Sequence, residues 1–213
     1  MKTLVAVLVA IAVSLGSIGV VSAEFSEAEQ KAIRGEASTF AQKSGFPEED
    51  AYRVHVLMYL ATKSLNKAYS TKNPVEAEHE KLRANVYTYA ANASLKVVWV
   101  LKRAQELLVD LKAEQVAGRT AVSPELSRRI NSLGIGGVDA IGEAARMSNA
   151  MVALTSFEAT QGCNTEKFGY TMHCLKTLQD GVKDIETAIA VLQQAMQPFS
   201  AIAVLGISKH FMY

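Results

Sequence analysis

The chain is poor in the residue types that staple small extracellular proteins and hold metal ions. Its 213 residues include two cysteines, four prolines, four histidines and one tryptophan. Cys163 and Cys174 are not spaced C-x-x-C, the pattern of thiol redox centres. Together with His173 they offer three zinc ligands, whereas a structural zinc site takes four. The sequence therefore predicts neither a redox centre nor a metal site, and we expect no cofactor.

An excess of charge of one sign is also lacking. The chain has 22 Lys and Arg against 21 Asp and Glu, and Lys2 is the only charged residue in 1–23, so 24–213 carries 21 of each sign. Proteins that bind nucleic acid neutralise its phosphates with clustered Lys and Arg. The balanced charge, without an evident basic face, argues against a nucleic-acid partner.

The first 23 residues read MKTLVAVLVAIAVSLGSIGVVSA, an apolar run behind one lysine. The segment Val21-Ser22-Ala23 fits the small-residue rule of a signal-peptidase site. We interpret 1–23 as a signal peptide and 24–213 as a single helical-bundle domain, secreted to the periplasm or the extracellular space. The alternative is an uncleaved membrane anchor, since the run nearly reaches the roughly 20 residues of a spanning helix.

No segment after the signal alternates between polar and apolar residues as a strand would, and nearly all of it has a helical period. Capping residues, glycines and prolines predict five helices, at about 26–43, 48–72, 74–117, 124–159 and 172–198. The uncharged run 187–208 contains three glutamines and Pro198, so we interpret it as a buried core helix with a kink or break at the proline.

Apolar residues recur at spacings of three and four along these helices, which predicts that the helices pack side by side. The predicted stripe of helix 2 is Ala51, Val54, Met58, Ala61, Leu65 and Ala68. The predicted stripe of helix 4 is Leu126, Ile130, Leu133, Val138, Ile141 and Ala145. The expected fold class is all-α: an antiparallel bundle of about five helices, of which helices 3, 4 and 5 are long.

Both cysteines fall at the predicted turn between helices 4 and 5, in the stretch GCNTEKFGYTMHC. Facing positions on antiparallel helices close to their connection bring Cα atoms within disulfide distance. Secretion would place the chain in an oxidising compartment. We therefore expect one intrachain disulfide, Cys163–Cys174.

Two patterns resemble functional motifs but lack the context that those motifs need. The glycines of LGIGGVDAIGEA at 133–144 follow no strand, and Asp139 stands where G-x-G-x-x-G requires its third glycine. They are better explained by close helix approach or a local bend. Glu76 and His79 form one E-x-x-H, whereas di-iron bundles need two copies and two further carboxylates. An exposed acidic first turn of helix 3 accounts for this pattern.

Aromatic residues cluster between 52 and 89, where five of the seven tyrosines fall. A helix 2–helix 3 hairpin would bring together Tyr52, His55, Tyr59, Tyr87 and Tyr89. That group predicts a ligand-binding pocket with an apolar body and polar tips, suited to haem, a sterol-like molecule or a protein partner. The ordinary alternative is that the same rings cover a helix–helix seam with their polar ends in water.

Asn92-Ala93-Ser94 is a glycosylation sequon on a flanking face of helix 3, relevant only in a eukaryotic source. No Ser-His-Asp, Cys-His or paired-carboxylate arrangement predicts an active site. The leading hypothesis is a secreted, non-enzymatic binding protein whose partner is an unidentified protein or an apolar small molecule. The alternatives are a membrane-active or pore-forming helical protein and an enzyme whose site assembles from distant residues.

Overall fold

The computed structural model describes residues 25–162 and 169–199, with side chains given for 25–162 and 179–199. Five helices occupy most of these ranges, and no strand occurs within them. They are α1 (Glu27–Ser44), α2 (Glu48–Ser70), α3 (Pro74–Val116), α4 (Pro124–Gln161) and α5 (Gly169–Met196). The all-α prediction is confirmed, as are the three long helices, which have 43, 38 and 28 residues.

The helix boundaries follow the capping signals of the sequence. Ser26 Oγ accepts a hydrogen bond from the Glu29 N–H at 3.3 Å, and Glu29 Oε2 accepts one from the Ser26 N–H at 2.8 Å, which closes the predicted capping box of α1. Asn73 Oδ1 accepts a backbone N–H of the first turn of α3 at 3.0 Å. Gly118, just past the end of α3, has φ of 71°, a conformation that favours glycine.

The chain divides into two compact units, and α3, α4 and α5 each contribute to both. The described part of one, here called the hairpin unit, comprises 25–95, 142–162 and 169–179. The described part of the other, the turn unit, comprises 96–141 and 180–199 and includes the connection between α3 and α4. A single domain over 24–213 stays a prediction.

In the hairpin unit, α1 and α2 form an antiparallel hairpin. The Arg34 guanidinium lies 4.3 Å above the Tyr52 ring near the middle of the hairpin, and the rings of Phe25 and Tyr59 meet edge to face at 5.6 Å near its open end. The chain then reverses at 71–73, so that α3 runs back along α2. Helix α2 therefore packs against two neighbours.

In the turn unit, α3 and α4 run antiparallel, with Lys96 Nζ 2.8 Å from Asp139 Oδ2 and Arg129 Nη1 2.6 Å from Asp110 Oδ2. Helix α5 runs parallel to α3, because Gly181 lies against Val97 and the Gln115 side chain reaches the carbonyl of a residue near the C-terminal end of α5. The largest fully buried side chains of this unit are Leu107, Leu111, Val100, Ile185, Leu192 and Met196.

The predicted stripe of α2 was wrong at two positions, since Met58 and Leu65 are exposed. A single heptad stripe describes contact with one neighbour, whereas α2 buries a broad face between α1 and α3. That face also includes Tyr52, Val56, Leu57, Leu60 and Ser64.

The predicted stripe of α4 was wrong at Val138 and Ala145, which are exposed. The buried positions are instead Ala140, Glu143 and Met147. The prediction missed them because Glu143 is charged and does not fit a pattern of apolar residues.

Helix α5 ends at Met196, two residues before Pro198, so the break expected at the proline is confirmed. Within 187–199, Ala188, Ile189, Leu192, Met196 and Phe199 are buried, whereas 200–208 lies outside the described residues. Among the helices that the structure describes, none combines the length and the apolar character that crossing a membrane requires.

Candidate ligand-binding site

The hairpin unit contains a cleft of about 290 Å³ between α2 and α3. On α2, the lining residues 60, 63, 64 and 67 share one helix face, because they are spaced three, four and seven positions from the first. The lining consists of Phe25, Leu60, Lys63, Ser64, Lys67, Glu80 and Arg83. The cleft thus combines two apolar side chains with three cations, one carboxylate and one hydroxyl.

Glu80 is the buried charge of the cleft, with only 2% of its surface exposed. Its Oε1 accepts hydrogen bonds from Lys67 Nζ at 2.9 Å and from Arg83 Nη1 at 3.4 Å. Burial alone would raise the pKa of this carboxyl, but the hydrogen bond from Lys67 and the charges of both cations outweigh burial and hold the pKa below its ordinary value. Glu80 is therefore an anion at neutral pH that fixes two cations beside the cleft.

Lys67 is held by two carboxylates, at 2.9 Å from Glu80 and 3.0 Å from Glu76. The hydrogen bond to Glu80, followed by that to Glu76, raises the pKa of Lys67 above its ordinary value. The ammonium group stays charged across the physiological range. About half of the Lys67 side chain is nevertheless exposed, and the residue lines the cleft.

Lys63, also in the lining, lies near the start of α1. Its Nζ lies 3.5 Å from Glu29 Oε1 and 5.9 Å from the centre of the Phe25 ring. Glu29 also accepts a hydrogen bond of 2.6 Å from the Tyr59 hydroxyl, and this bond, with those from Ser26, lowers the pKa of Glu29 to about 2. Around Lys63 the cleft is therefore bordered by one aromatic ring, one ammonium group and one carboxylate that is ionised at neutral pH.

The five residues predicted as a ligand site lie in two places. Tyr52, His55 and Tyr59 face α1, where the His55 ring is 5.5 Å from that of Phe40 and its Nδ1 lies 2.8 Å from the backbone oxygen one turn earlier. Tyr87 is buried on α3, and Tyr89 is half-buried on the same helix.

None of these five residues lines the described cleft, but two of them contact residues that do. The Tyr59 ring packs on Phe25, and the Tyr87 hydroxyl accepts a hydrogen bond from Arg83 Nη2 at 3.3 Å. A ligand-binding role for the five residues stays a prediction.

The polar lining of the cleft was not predicted from the sequence. Ser64 lies four residues after Leu60 and four before Ala68, all buried, and Glu80 lies four residues before the buried Ala84. A polar residue at a position where the helical spacing predicts burial could have identified this site, because a buried polar residue needs a partner on the neighbouring helix.

A second polar contact lies on α3, in the E-x-x-H segment. His79 Nε2 lies 2.5 Å from Oε1 of the buried Glu158 on α4, and its ring stacks on Phe157 at 6.3 Å. Glu76 instead contacts Thr71 and Lys67. Among the described residues, no three or more His, Cys, Asp or Glu side chains are placed to hold a metal ion.

The remaining predicted sites fall partly outside the described residues. Gly136 packs directly on the Trp99 ring, which supports the interpretation of the glycine cluster as a close helix approach. Asn92 is exposed on α3. Cys163 and the side chain of Cys174 lie beyond the described part of the chain, as does 1–23.

No protein-family model, no curated protein and no solved structure matches the chain. The chemistry of the cleft therefore carries the functional proposal. Its lining offers fixed positive charge, one apolar wall and hydrogen-bond donors, which are the elements that orient a small molecule.

Proposed function

We propose that the protein is a secreted, non-enzymatic binding protein that holds a small molecule in the cleft between α2 and α3. The observation that carries the proposal is the buried Glu80 carboxylate, which anchors Lys67 and Arg83 at the wall of a 290 Å³ cleft. That volume is close to the lower end of the range typical of small-molecule sites, about 300–1,000 Å³.

A buried ion network is a poor way to stabilise a fold, because desolvation offsets much of the attraction between the charges. The network does hold charged groups in place before a ligand arrives, which reduces the conformational entropy lost on binding. In this cleft the carboxylate is hidden while the Lys67 side chain remains 54% exposed. That asymmetry favours a role in binding.

Secretion and the disulfide belong to the same proposal. The signal-like segment 1–23 supports export, and export supports a disulfide between Cys163 and Cys174. Helix α4 ends at Gln161 and α5 begins at Gly169, so along the chain Cys163 lies between the two helices and Cys174 lies within α5. The bond would contribute about 3 kcal/mol in the chain-entropy model. Alkylation of the non-reduced protein, followed by intact-mass measurement, should add no label; two labels would contradict the disulfide.

Under this proposal, two of the five predicted ligand residues support the cleft by contacting residues that line it. Tyr59 positions Phe25, and Tyr87 contacts Arg83, so two of the predicted ligand residues act through residues of the lining. The membrane-active alternative stays a prediction, with no observation on the described residues in its favour.

The test is ligand-detected NMR with the protein expressed from its full-length sequence. A fragment library containing anionic, neutral and cationic aromatic molecules is screened against the wild type, Arg83→Gln and Arg128→Gln. Arg128 is the matched control, because it also pairs with a carboxylate three residues away but is exposed and distant in sequence from the cleft. We expect fragments that bind the wild type and Arg128→Gln and lose affinity for Arg83→Gln. A library without hits, or hits that ignore the Arg83 change, would refute the proposal.

A further inference from the structure

The charge of the cleft lining is unbalanced toward the positive sign. Lys63, Lys67 and Arg83 line it, and Glu80 is the only carboxylate among the lining residues that the structure describes. Glu29 and Glu76 pair with the two lysines from outside the lining. A molecule entering the cleft therefore meets three cationic groups, each already paired with a carboxylate, of which only Glu80 lies in the lining itself.

We propose that the ligand is a small organic anion with a compact aromatic group, its carboxylate held between Lys63 and Arg83 and its ring against Phe25 and Leu60. This inference rests on the proposed function, since it names the class of molecule that the same cleft takes. Charge-assisted hydrogen bonds from Lys and Arg to a carboxylate are short and about twice as strong as those between neutral groups.

The apolar half of the cleft is the reason for proposing an aromatic ring in the ligand. Phe25 and Leu60 are both lining residues and both buried to more than nine-tenths. The Phe25 ring is fixed by its edge-to-face contact with Tyr59. Because only 6% of Phe25 and 7% of Leu60 is exposed, this wall is small and suits one compact ring, and aromatic pairs gain more than their buried area alone provides.

The anionic half depends on Lys63, the most loosely held of the three cations. Its contact with Glu29 is 3.5 Å long, and 55% of its side chain is exposed. A ligand carboxylate can pair with the Lys63 ammonium in place of Glu29, and the short Lys67–Glu80 bond stays intact. A cationic ligand would instead have to displace Lys67 or Arg83 from Glu80, or compete for Glu29, whose two oxygens already accept hydrogen bonds from Tyr59 and Ser26.

Three molecules of nearly the same shape separate these cases: phenylacetate, phenylacetamide and phenethylamine, which are anionic, neutral and cationic at pH 7. Dissociation constants are measured by titration of backbone amide NMR signals. We expect phenylacetate to bind at least about tenfold more tightly than phenylacetamide, as one charge-assisted contact provides, and phenethylamine to bind more weakly still. The shifted signals should include those of Ser64 and Lys67.

Two variants test whether Lys63 causes the preference for the anionic ligand. Lys63→Gln should reduce the preference for phenylacetate over phenylacetamide to about threefold or less, while leaving phenylacetamide affinity nearly unchanged. Lys31→Gln, a change on the exposed surface of α1, is the control and should keep the full preference. Raising the salt concentration should weaken phenylacetate binding more than phenylacetamide binding, because salt screens partly exposed charges.

The outcomes separate this inference from the function on which it rests. Equal or tighter binding of phenylacetamide or phenethylamine at the cleft would overturn the anionic class and leave a binding cleft in place. Phenylacetate shifts confined to residues of the turn unit, or no shifts with any of the three, would also overturn it. In that case the fragment screen decides whether the cleft binds other molecules.

Discussion

Lys67 and Glu80 form an ion pair of 2.9 Å whose two members differ sharply in exposure: the lysine side chain is 54% exposed and the glutamate side chain 3%. The pair connects α2 to α3 and joins a desolvated carboxylate to a lysine whose side chain is half exposed. Because an isolated buried carboxylate is costly, the fold depends on Lys67 and Arg83 remaining close to Glu80.

Glu80→Gln should lower the free energy of unfolding by about 2 kcal/mol, because the two hydrogen bonds from Lys67 and Arg83 lose the negative charge of their acceptor. Urea unfolding followed by circular dichroism measures the change. Glu125→Gln removes the charge from an exposed pair with Arg128 and should change stability by less than about 0.5 kcal/mol. Equal effects of the two substitutions would contradict the assigned role of Glu80.

Gly136→Ala should destabilise the protein by about 1–2 kcal/mol, because a Cβ at 136 would lie 2.6 Å from Cζ3 of Trp99. Trp99 is the only tryptophan, so its fluorescence should report displacement of the ring toward water as a red shift. Gly142 lies on the same helix, and a Cβ at 142 would have nothing within 4 Å. Gly142→Ala should therefore be neutral or stabilise by up to about 1 kcal/mol, through helix propensity alone. A Gly136→Ala protein as stable as Gly142→Ala would exclude the close contact.

Glu29 should make stability depend on pH in the acid range. Its pKa of about 2 in the folded protein lies below the ordinary value of 4.5, chiefly because of the Tyr59 hydroxyl. Its contribution is therefore complete above about pH 4.5 and is lost as the pH falls toward 2. Glu29→Gln, which preserves the capping pattern with Ser26, isolates the charge.

The difference in unfolding free energy between the wild type and Glu29→Gln should be constant near pH 7, shrink below about pH 4.5 and vanish near pH 2. Urea unfolding at a series of pH values provides the curve, and NMR titration of the Glu29 carboxyl provides the pKa. A Glu29 carboxyl that titrates near 4.5 would disprove the shift.

Removing His79 alone should destabilise the protein, because it leaves the buried Glu158 without its partner. Oε2 of Glu158 is buried and makes no hydrogen bond within the part of the chain that the structure describes. Removing the imidazole that contacts Oε1 with His79→Leu should cost about 3 kcal/mol, whereas the double change His79→Leu and Glu158→Leu should be nearly neutral or stabilising. Additive effects in this double-mutant cycle would show that the two side chains do not depend on each other.

Much of the fold follows from local signals in the sequence. Ser26 and Glu29 start α1, Asn73 starts α3 and Gly118 follows its end, because each feature depends on a few neighbouring residues whose chemistry is visible in the sequence. The stripe of α2 failed at Met58 because a helix between two neighbours buries a face wider than a heptad stripe. Its width depends on tertiary packing.

The candidate site was less predictable than the fold. The aromatic cluster identified the right neighbourhood, since Tyr59 and Tyr87 contact the lining, but the partner of Tyr59 is α1 and not α3. Lys67 and Glu80 are 13 residues apart on two helices. Their contact depends on the rotation of each helix about its axis, which residue spacing along one chain does not specify.

The most direct test of a binding cleft is the position of a bound molecule. Intermolecular nuclear Overhauser effects between the tightest-binding fragment and the wild-type protein, expressed from its full-length sequence, locate that position. If the molecule binds in the cleft, the nuclear Overhauser effects should come from the Phe25 ring, the Leu60 methyl groups and the Ser64 methylene group. Effects that come only from residues 96–141 and 180–199 would place the ligand elsewhere and contradict the proposed function.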